Sequence, residues 1–375
     1  MSTLHDEVTV NGMKLRNRLV LPPLTTNCGG PEGQVTDGVV QFYEERAGDV
    51  GLVIVEAAAV RSDGRIVPGS LGLWEDGQVP GMARIAGGIK NAGAAAVLQI
   101  NHAGARGFPS GGEMQGASPS GFSFRPDVEA FFMRPEQIET LVSDFAAAAN
   151  RAREAGFDGI EIHGAHLYLI SQFLSPLTNQ RDDRYGGDAL GRATLALEVL
   201  KAVRERLGVN YPILFRFNVV EHVEGGQTLA DAVAVSRALA QAGVDALDVS
   251  LVSTGSWQET EEGRFLLPAS AFPKHQPPGA NIPFIARIKE ATGLPVIGVG
   301  KLGIGTMAAK SVEGSLMDLV AIGRQMIADP ESAAKILSGK AEEIIPCQEC
   351  MACFASLRKG PVICKVNKTL PWTAA

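Results

Sequence analysis

No apolar run in the chain approaches the roughly 18 residues that a membrane helix needs, so no helical span is expected. Positive charge is outnumbered. Against 41 Asp and Glu stand 34 Lys and Arg, a net charge of −7, which gives a polyanion such as nucleic acid no electrostatic footing. Residues 1–12 lack both a basic segment and an apolar core, so no secretory signal is expected and the chain reads as cytoplasmic. Aromatic residues make up only 6%, and no cage of rings for a methylated cation stands out. Also missing is a glycine-rich phosphate loop behind the first apolar strand. That strand, near Arg18–Leu21, runs into Pro22, Pro23, Leu24 and Thr25, which argues against a doubly wound dinucleotide fold. Cysteine is scarce and lopsided. Cys28 stands alone, while Cys347, Cys350, Cys353 and Cys364 crowd the end of the sequence; in a cytosolic protein such crowding favours metal or cluster ligation over disulfides.

What the chain does have is alternation. Short apolar runs near Arg18–Leu21, Gly51–Val55, Ala95–Ile100, Gly159–Ile162, Pro212–Phe217, Ala246–Val249, Pro295–Val299 and Asp318–Ile322 read as strands. Most are apolar on both faces, as parallel strands covered by helices should be. Amphipathic stretches lie between them, among them Pro135–Gly156 and Ala189–Leu207. Strand and helix alternating eight times is the pattern of an α/β fold, a single (β/α)8 TIM barrel. The expected organisation is a barrel over residues 1–340 and a short cysteine-rich extension over 341–375, packed on the barrel. The 43 glycines suit a fold with many tight turns.

In such a barrel the chemistry sits at the carboxyl ends of the strands. The fourth strand ends at His163, followed by His166 and Tyr168. Two imidazoles and a phenol can hold a carbonyl oxygen and deliver a proton, so this cluster is the candidate catalytic centre. The other strand ends present Pro23, Leu24 and Thr25, then Ala57, Gln99 with His102, Arg216, Ser250, Gly300, and Gly323 with Arg324. Singly, each has an ordinary structural reading. Together they offer an amide, a cation, small residues and two glycine turns, which suits a planar polar ring with a phosphate tail.

With these residues in order the sequence resembles the old yellow enzyme family of FMN-dependent oxidoreductases. The resemblance spans nearly the whole chain, through LRNRLVLPPLTT, VEAAAV, LQINHAGAR, IEIHGAHLYLISQFLSP, NQRDDRYGG, FRFN and VAIGR. It implies non-covalent FMN, with Pro23 and Leu24 laying backbone against the ring, Thr25 near its O4 and Ala57 leaving room for it. It further implies Gln99 at the pyrimidine edge, Arg216 beside N1 and O2, and Gly300, Gly323 and Arg324 at the phosphate, with Lys301 adding charge. His163 and His166 would hold a substrate oxygen, and Tyr168 would protonate the α-carbon. His102 is expected to have a structural role and Cys28 to be a buried, inert thiol. The run Arg181–Gly187 is expected to organise a loop, and Trp257 is a candidate pocket wall.

The function so implied is reduction of activated C=C bonds in enones, enals and nitroalkenes, with NADPH or NADH as diffusible donor. The partners expected are a small electron-poor alkene or carbonyl compound, no nucleic acid and no membrane; self-association is left open. The spacing Cys347-x2-Cys350-x2-Cys353-x10-Cys364 resembles the [4Fe-4S] site of trimethylamine dehydrogenase and 2,4-dienoyl-CoA reductase. Its last gap is shorter than theirs. A structural zinc site and a vestigial set of free thiols stay open beside the cluster. A cluster here would call for an external electron partner, and with it comes a second reading, an amine dehydrogenase or demethylase.

Overall fold

The computed structural model describes residues 2–108, 114–118, 130–252, 255–260, 263–268, 276–303 and 306–372, with backbone alone at 114, 130, 252, 255–260 and 263–268. Eight parallel strands close into a barrel: β1 (Leu19–Leu21), β2 (Leu52–Ala59), β3 (Ala95–Asn101), β4 (Gly159–Gly164), β5 (Ile213–Glu221), β6 (Ala246–Val252), β7 (Val296–Val299) and β8 (Leu319–Ala321). Each pairs with the next, and β8 pairs with β1, which closes the ring. The expected (β/α)8 architecture is the observed one.

A helix follows every strand: α1 (Asp37–Ala47), α2 (Val79–Asn91), α3 (Pro135–Glu154), α4 (Thr194–Leu207), α5 (Leu229–Gln241), α6 (Ile282–Thr292), α7 (Met307–Glu313) and α8 (Arg324–Ala328). Local signals start them. Thr228 caps α5 by accepting from the Asp231 backbone N–H, while the Asp231 side chain returns a bond to Thr228, a reciprocal cap worth about 1 kcal/mol. The stretch expected as one helix over Ala189–Leu207 is two. It breaks at Ala193, which ends the short helix Ala189–Arg192 and starts α4.

Packing divides into two cores. The larger lies between strands and helices, with Leu98, Ile160, Phe215 and Val249 facing outward into it. The smaller fills the floor of the barrel with Val20, Leu52, Ile54, Val97, Leu214, Ala246, Ile297 and Leu319. An antiparallel hairpin, Val8–Val10 with Met13–Leu15, plugs that floor from below.

The period of two along each strand then carries the interior upward from apolar to polar. On β3 the inward residues run from Val97 to Gln99; on β5 from Leu214 to Arg216; on β6 from Ala246 through Asp248 to Ser250. Register aligns Gln99 with Glu161, His163 with Arg216, and Arg216 with Asp248. A charged layer therefore sits between the apolar floor and the open end of the barrel. Among the described residues no helix is long and apolar enough to cross a membrane.

Candidate active site

The carboxyl ends of the strands open into a cavity of about 1070 Å³. Its walls include Pro23, Leu24, Thr25, Ala57, Gln99 and Arg216, together with His163, His166 and Tyr168, and with Gly323 and Arg324. Every residue expected at the ring or at the substrate oxygen thus lines one space. Gly300 does not line it, although its neighbours Val299 and Lys301 do. Gly300 adopts a φ of 143°, which suits glycine, and its carbonyl accepts from the Gly279 N–H at 3.0 Å. Trp257 has a side chain outside the described residues.

The three catalytic candidates lie together. Ring centroids are 5.1 Å apart for His163 and His166, 5.2 Å for His163 and Tyr168, and 6.4 Å for His166 and Tyr168. They converge because the chain turns sharply after β4: His166 and Leu167 are both left-handed, with φ of 64° and 55°. Non-glycine residues adopt that conformation at a cost of about 1–3 kcal/mol each, and only where surrounding bonds impose it. Here the bonds are plain. The His166 N–H donates to Asn218 Oδ1 (3.1 Å), and its carbonyl accepts from Arg106. The Leu167 N–H donates to Ser171 Oγ (3.1 Å), and its carbonyl accepts from Gln172 Nε2 (2.7 Å).

Burial, reinforced by Arg216, holds both imidazoles well below the usual histidine range, so both are neutral at pH 7. A neutral imidazole has one N–H, and its position decides what it can do. His166 Nε2 lies 2.9 Å from Ser250 Oγ, while Nδ1 of His163 is buried and without a partner among the described residues. The Tyr168 phenol is raised by burial, with Arg106 pulling it back, so it keeps its proton at neutral pH.

Beneath the cavity, Gln99 Nε2 donates to Glu161 Oε1 at 2.7 Å, and Arg216 Nε stands 3.3 Å from Asp248 Oδ2. Two buried carboxylates and one guanidinium cannot all be charged without excess negative charge. Burial, then Asp248, drives the Glu161 carboxyl well above its usual range; Asp248 is raised less strongly, also by burial. We assign the shared proton to Glu161. Asp248 then balances Arg216.

The residues fit FMN by the chemistry and placement of their donors. Gln99 and Arg216 belong to β3 and β5, flanking β4. Arg324 and Lys301 follow β8 and β7, across the ring from them. Between lies the low floor of Pro22, Pro23, Leu24, Ala57 and Ala321. At Gly323 a Cβ would stand 3.3 Å from Leu24 Cδ2 and 3.4 Å from Pro22 Cγ, so backbone and floor meet closely there. A flat ring over the floor with a phosphate between Gly323 and Arg324 matches this layout.

Residues between Pro346 and Val362 line the cavity together with Gly323 and Arg324. Lys301 Nζ pairs with Glu349 Oε2, and Arg324 Nη1 reaches Met351 Sδ at 3.1 Å. Cys347 and Cys353 line the cavity; Cys350 and Cys364 do not. Among the described residues no three His, Cys, Asp or Glu side chains are gathered to hold a metal ion. Farther along, Asn27 Nδ2 donates to the carbonyls of Leu357 (3.2 Å) and Gly360 (2.7 Å), and the Val362 N–H donates to Thr26 O (2.8 Å).

The residues expected to have structural roles have structural partners, although Cys28, expected to be buried, is half-buried. His102 is held by Asp63 (3.3 Å) and by the Gly104 N–H (3.1 Å). Burial pushes the Cys28 thiol up to about 12, and its Sγ donates to Thr26 O at 3.4 Å. Arg181 ties the loop carbonyls of Ala117 and Met133. Missing from the sequence-based set are Arg106, Glu161 and Asp248. Arg106, in the NHAGAR run, and Glu161, in the IEIHGAH run, lie within segments that marked themselves; Asp248 does not.

The family model of NADH:flavin oxidoreductase / NADH oxidase matches residues 3–343. A metal reductase of Desulforamulus reducens is 36% identical over 371 residues, 98% of this chain and 54% of the relative. An NADPH dehydrogenase of Listeria monocytogenes is 36% identical over 342 residues, 90% of this chain and 96% of the relative. A solved 2-naphthoyl-CoA reductase, in complex with 2-naphthoyl-CoA, superposes with a TM-score of 0.90 at 26% identity, covering 98% of this chain and 57% of that one. The chain thus spans about half the length of two of these relatives and nearly all of the third.

Proposed function

The chain belongs to the NADH:flavin oxidoreductase / NADH oxidase family, and from that membership we propose that it is an FMN-dependent, NAD(P)H-consuming reductase of activated C=C bonds in enones, enals and nitroalkenes. The observation that carries the reading is the neutral His163–His166 pair beside a protonated Tyr168 in one cavity wall.

FMN, when bound, would take a hydride from NAD(P)H and pass it to the β-carbon of the alkene. The protein's own residues do the rest. His163 and His166 donate to the carbonyl or nitro oxygen and stabilise the negative charge that grows there. For His166 to donate into the cavity, Ser250 must give its hydroxyl proton to Nε2, which leaves the imidazole proton on Nδ1. His163, with Nδ1 buried, donates through Nε2. Tyr168 gives its proton to the α-carbon and is reprotonated from solvent. The sum is alkene, NAD(P)H and a proton to saturated product and NAD(P)+. Arg216 would compensate charge at the pyrimidine edge. The Arg106 cation in the cavity wall disfavours a protonated amine as substrate, which weighs against the dehydrogenase reading.

We propose further that residues 341–375 form a distinct extension whose Cys347, Cys350, Cys353 and Cys364 hold a [4Fe-4S] cluster. Backbone N–H groups of Val366 and Asn367 lie 3.4 and 3.3 Å from Cys364 Sγ. Burial holds the Cys347 and Cys353 thiols above the usual range, against a smaller opposing pull from Arg324.

An anaerobic visible spectrum tests both parts. Flavin bands that bleach with NADPH and return on adding cyclohexenone support the reductase. A protein whose bands do not return is not an ene-reductase. A broad absorption shoulder that persists after FMN is removed supports the cluster.

A further inference from the structure

The single turn Gly104–Arg106 that follows β3 carries a guanidinium into the cavity wall beside the acid and the oxygen clamp. Arg106 Cζ lies 5.0 Å from the centroid of the Tyr168 ring, and Nη1 donates to the His166 carbonyl. Arg358, also in the lining, belongs to the cysteine-rich tail, and the remaining cations of the cavity are engaged elsewhere. Arg216 faces Asp248, Lys301 pairs with Glu349, and Arg324 reaches Met351 near the cysteines. Arg106 meets no carboxylate among the described residues; its partners there are a carbonyl and an aromatic face.

A guanidinium keeps its charge in proteins. Half-buried, with no carboxylate against it among the described residues, it is ready to bind an anion. One Nη is committed to His166, and among the described residues no other hydrogen-bond acceptor engages the rest of the fork, which lines the cavity. On the same side Ile66, Val67, Pro68 and Phe108 supply an apolar wall, suited to an organic body rather than a bare inorganic ion.

We propose that Arg106 is an anion-binding subsite, and that the alkene reduced here carries a carboxylate within a few atoms of its reacting double bond. The proposal rests on the alkene-reducing reading of the same cavity. A carbonyl oxygen on His163 and His166 and a carboxylate on Arg106 would pin such a substrate at two points. Two points fix which carbon faces Tyr168, so the subsite sets orientation as well as affinity.

Monomethyl and dimethyl fumarate make the test, because they differ at one end alone, a carboxylate in the first and a methyl ester in the second. In the FMN-loaded protein, Arg106→Gln keeps an N–H for the His166 carbonyl and removes the cation. The ratio of kcat/KM for the monoester over the diester should fall about 10- to 100-fold in this variant, whatever loss the two share, and Arg106→Lys should restore part of it. An unchanged ratio overturns the subsite. Binding without turnover provides the second arm: benzoate and benzamide titrated against the oxidised flavin spectrum. Benzoate should weaken at least tenfold in Arg106→Gln relative to benzamide. If the parent reduces neither ester but binds benzoate through Arg106, the alkene reading falls and the subsite stands. If both esters are reduced and the benzoate preference is the same in parent and variant, the subsite falls and the alkene reading stands.

Discussion

Ser250 Oγ lies 2.9 Å from His166 Nε2, and both groups are almost wholly buried. A buried neutral imidazole with one nitrogen so engaged has its tautomer chosen for it. Ser250→Ala should release that choice and lower kcat/KM for an enone about tenfold, near 1.4 kcal/mol. Ser250→Thr should restore it. Nitrogen-15 spectra of labelled histidine check the cause: the parent should show His166 protonated at Nδ1, and the same spectrum in Ser250→Ala would sink the assignment.

Tyr168→Phe removes the acid and leaves the clamp. Alkene reduction should slow about 10²- to 10⁴-fold, while flavin reduction by NADPH changes little. Stopped-flow traces of the two half-reactions separate these effects, and an unchanged alkene step would show that the proton comes from elsewhere.

Asp248 balances Arg216 at 3.3 Å, whereas Glu161 already carries a proton. Asp248→Asn therefore leaves Arg216 uncompensated below the cavity and should raise the midpoint potential of bound FMN. A gain of about 1.4 kcal/mol for the reduced form equals about 30 mV for a two-electron couple. Glu161→Gln, a near-neutral exchange, should move it much less. Dye-coupled reductive titrations measure both, and equal shifts would contradict the placement of the proton.

Both imidazoles are held neutral in the fold, below the ordinary value of 6.5. As pH falls through 6.5, an unfolded histidine gains a proton that the folded one refuses, so unfolding becomes easier. Each should cost about 1.4 kcal/mol per pH unit below that point. Glu56, fully buried and raised to about 7, acts in the opposite direction: folded, it keeps a proton between 4.5 and 7 that the unfolded chain gives up. Urea unfolding of the parent against His163→Gln, from pH 7.5 to 5.5, should show a shallower loss in the variant. Parallel curves would mean that His163 is charged in the fold.

Anaerobically purified protein should contain about four iron atoms per chain, as [4Fe-4S] ligation requires. Cys364→Ser should lose most of this iron and the reduced-state EPR signal while retaining FMN. Zinc in place of iron on metal analysis would return the tail to its zinc reading.

The barrel is legible in the sequence because helix-covered parallel strands are apolar on both faces, and most of the eight strands announce themselves that way. Their upper ends do not. β5 reads as finishing near Phe217 yet continues to Glu221, because Asn218 and Glu221 interrupt the apolar signal while still pairing with β6. His163, His166 and Tyr168 are legible because they lie within six positions of one another. Ser250 and Arg106 take their roles from partners 84 and 60 positions away, a relation no local pattern carries. Spacing makes the cysteines conspicuous, but whether their sulfurs converge depends on how the chain folds back over β8. Nothing in the stretch Ala189–Leu207 marks the break at Ala193.

Asn27 grips two tail carbonyls, Val362 grips Thr26, and Trp372 closes on the Val362 carbonyl at 2.7 Å while its ring lies 5.4 Å from that of Phe42. The strip from Leu357 to Trp372 is thus a buckle across the loop that floors the cavity. Proteolytic nicking near Ser356 would cost more than one cysteine. It would loosen the floor beneath Thr25, and flavin retention after limited digestion would report on the buckle.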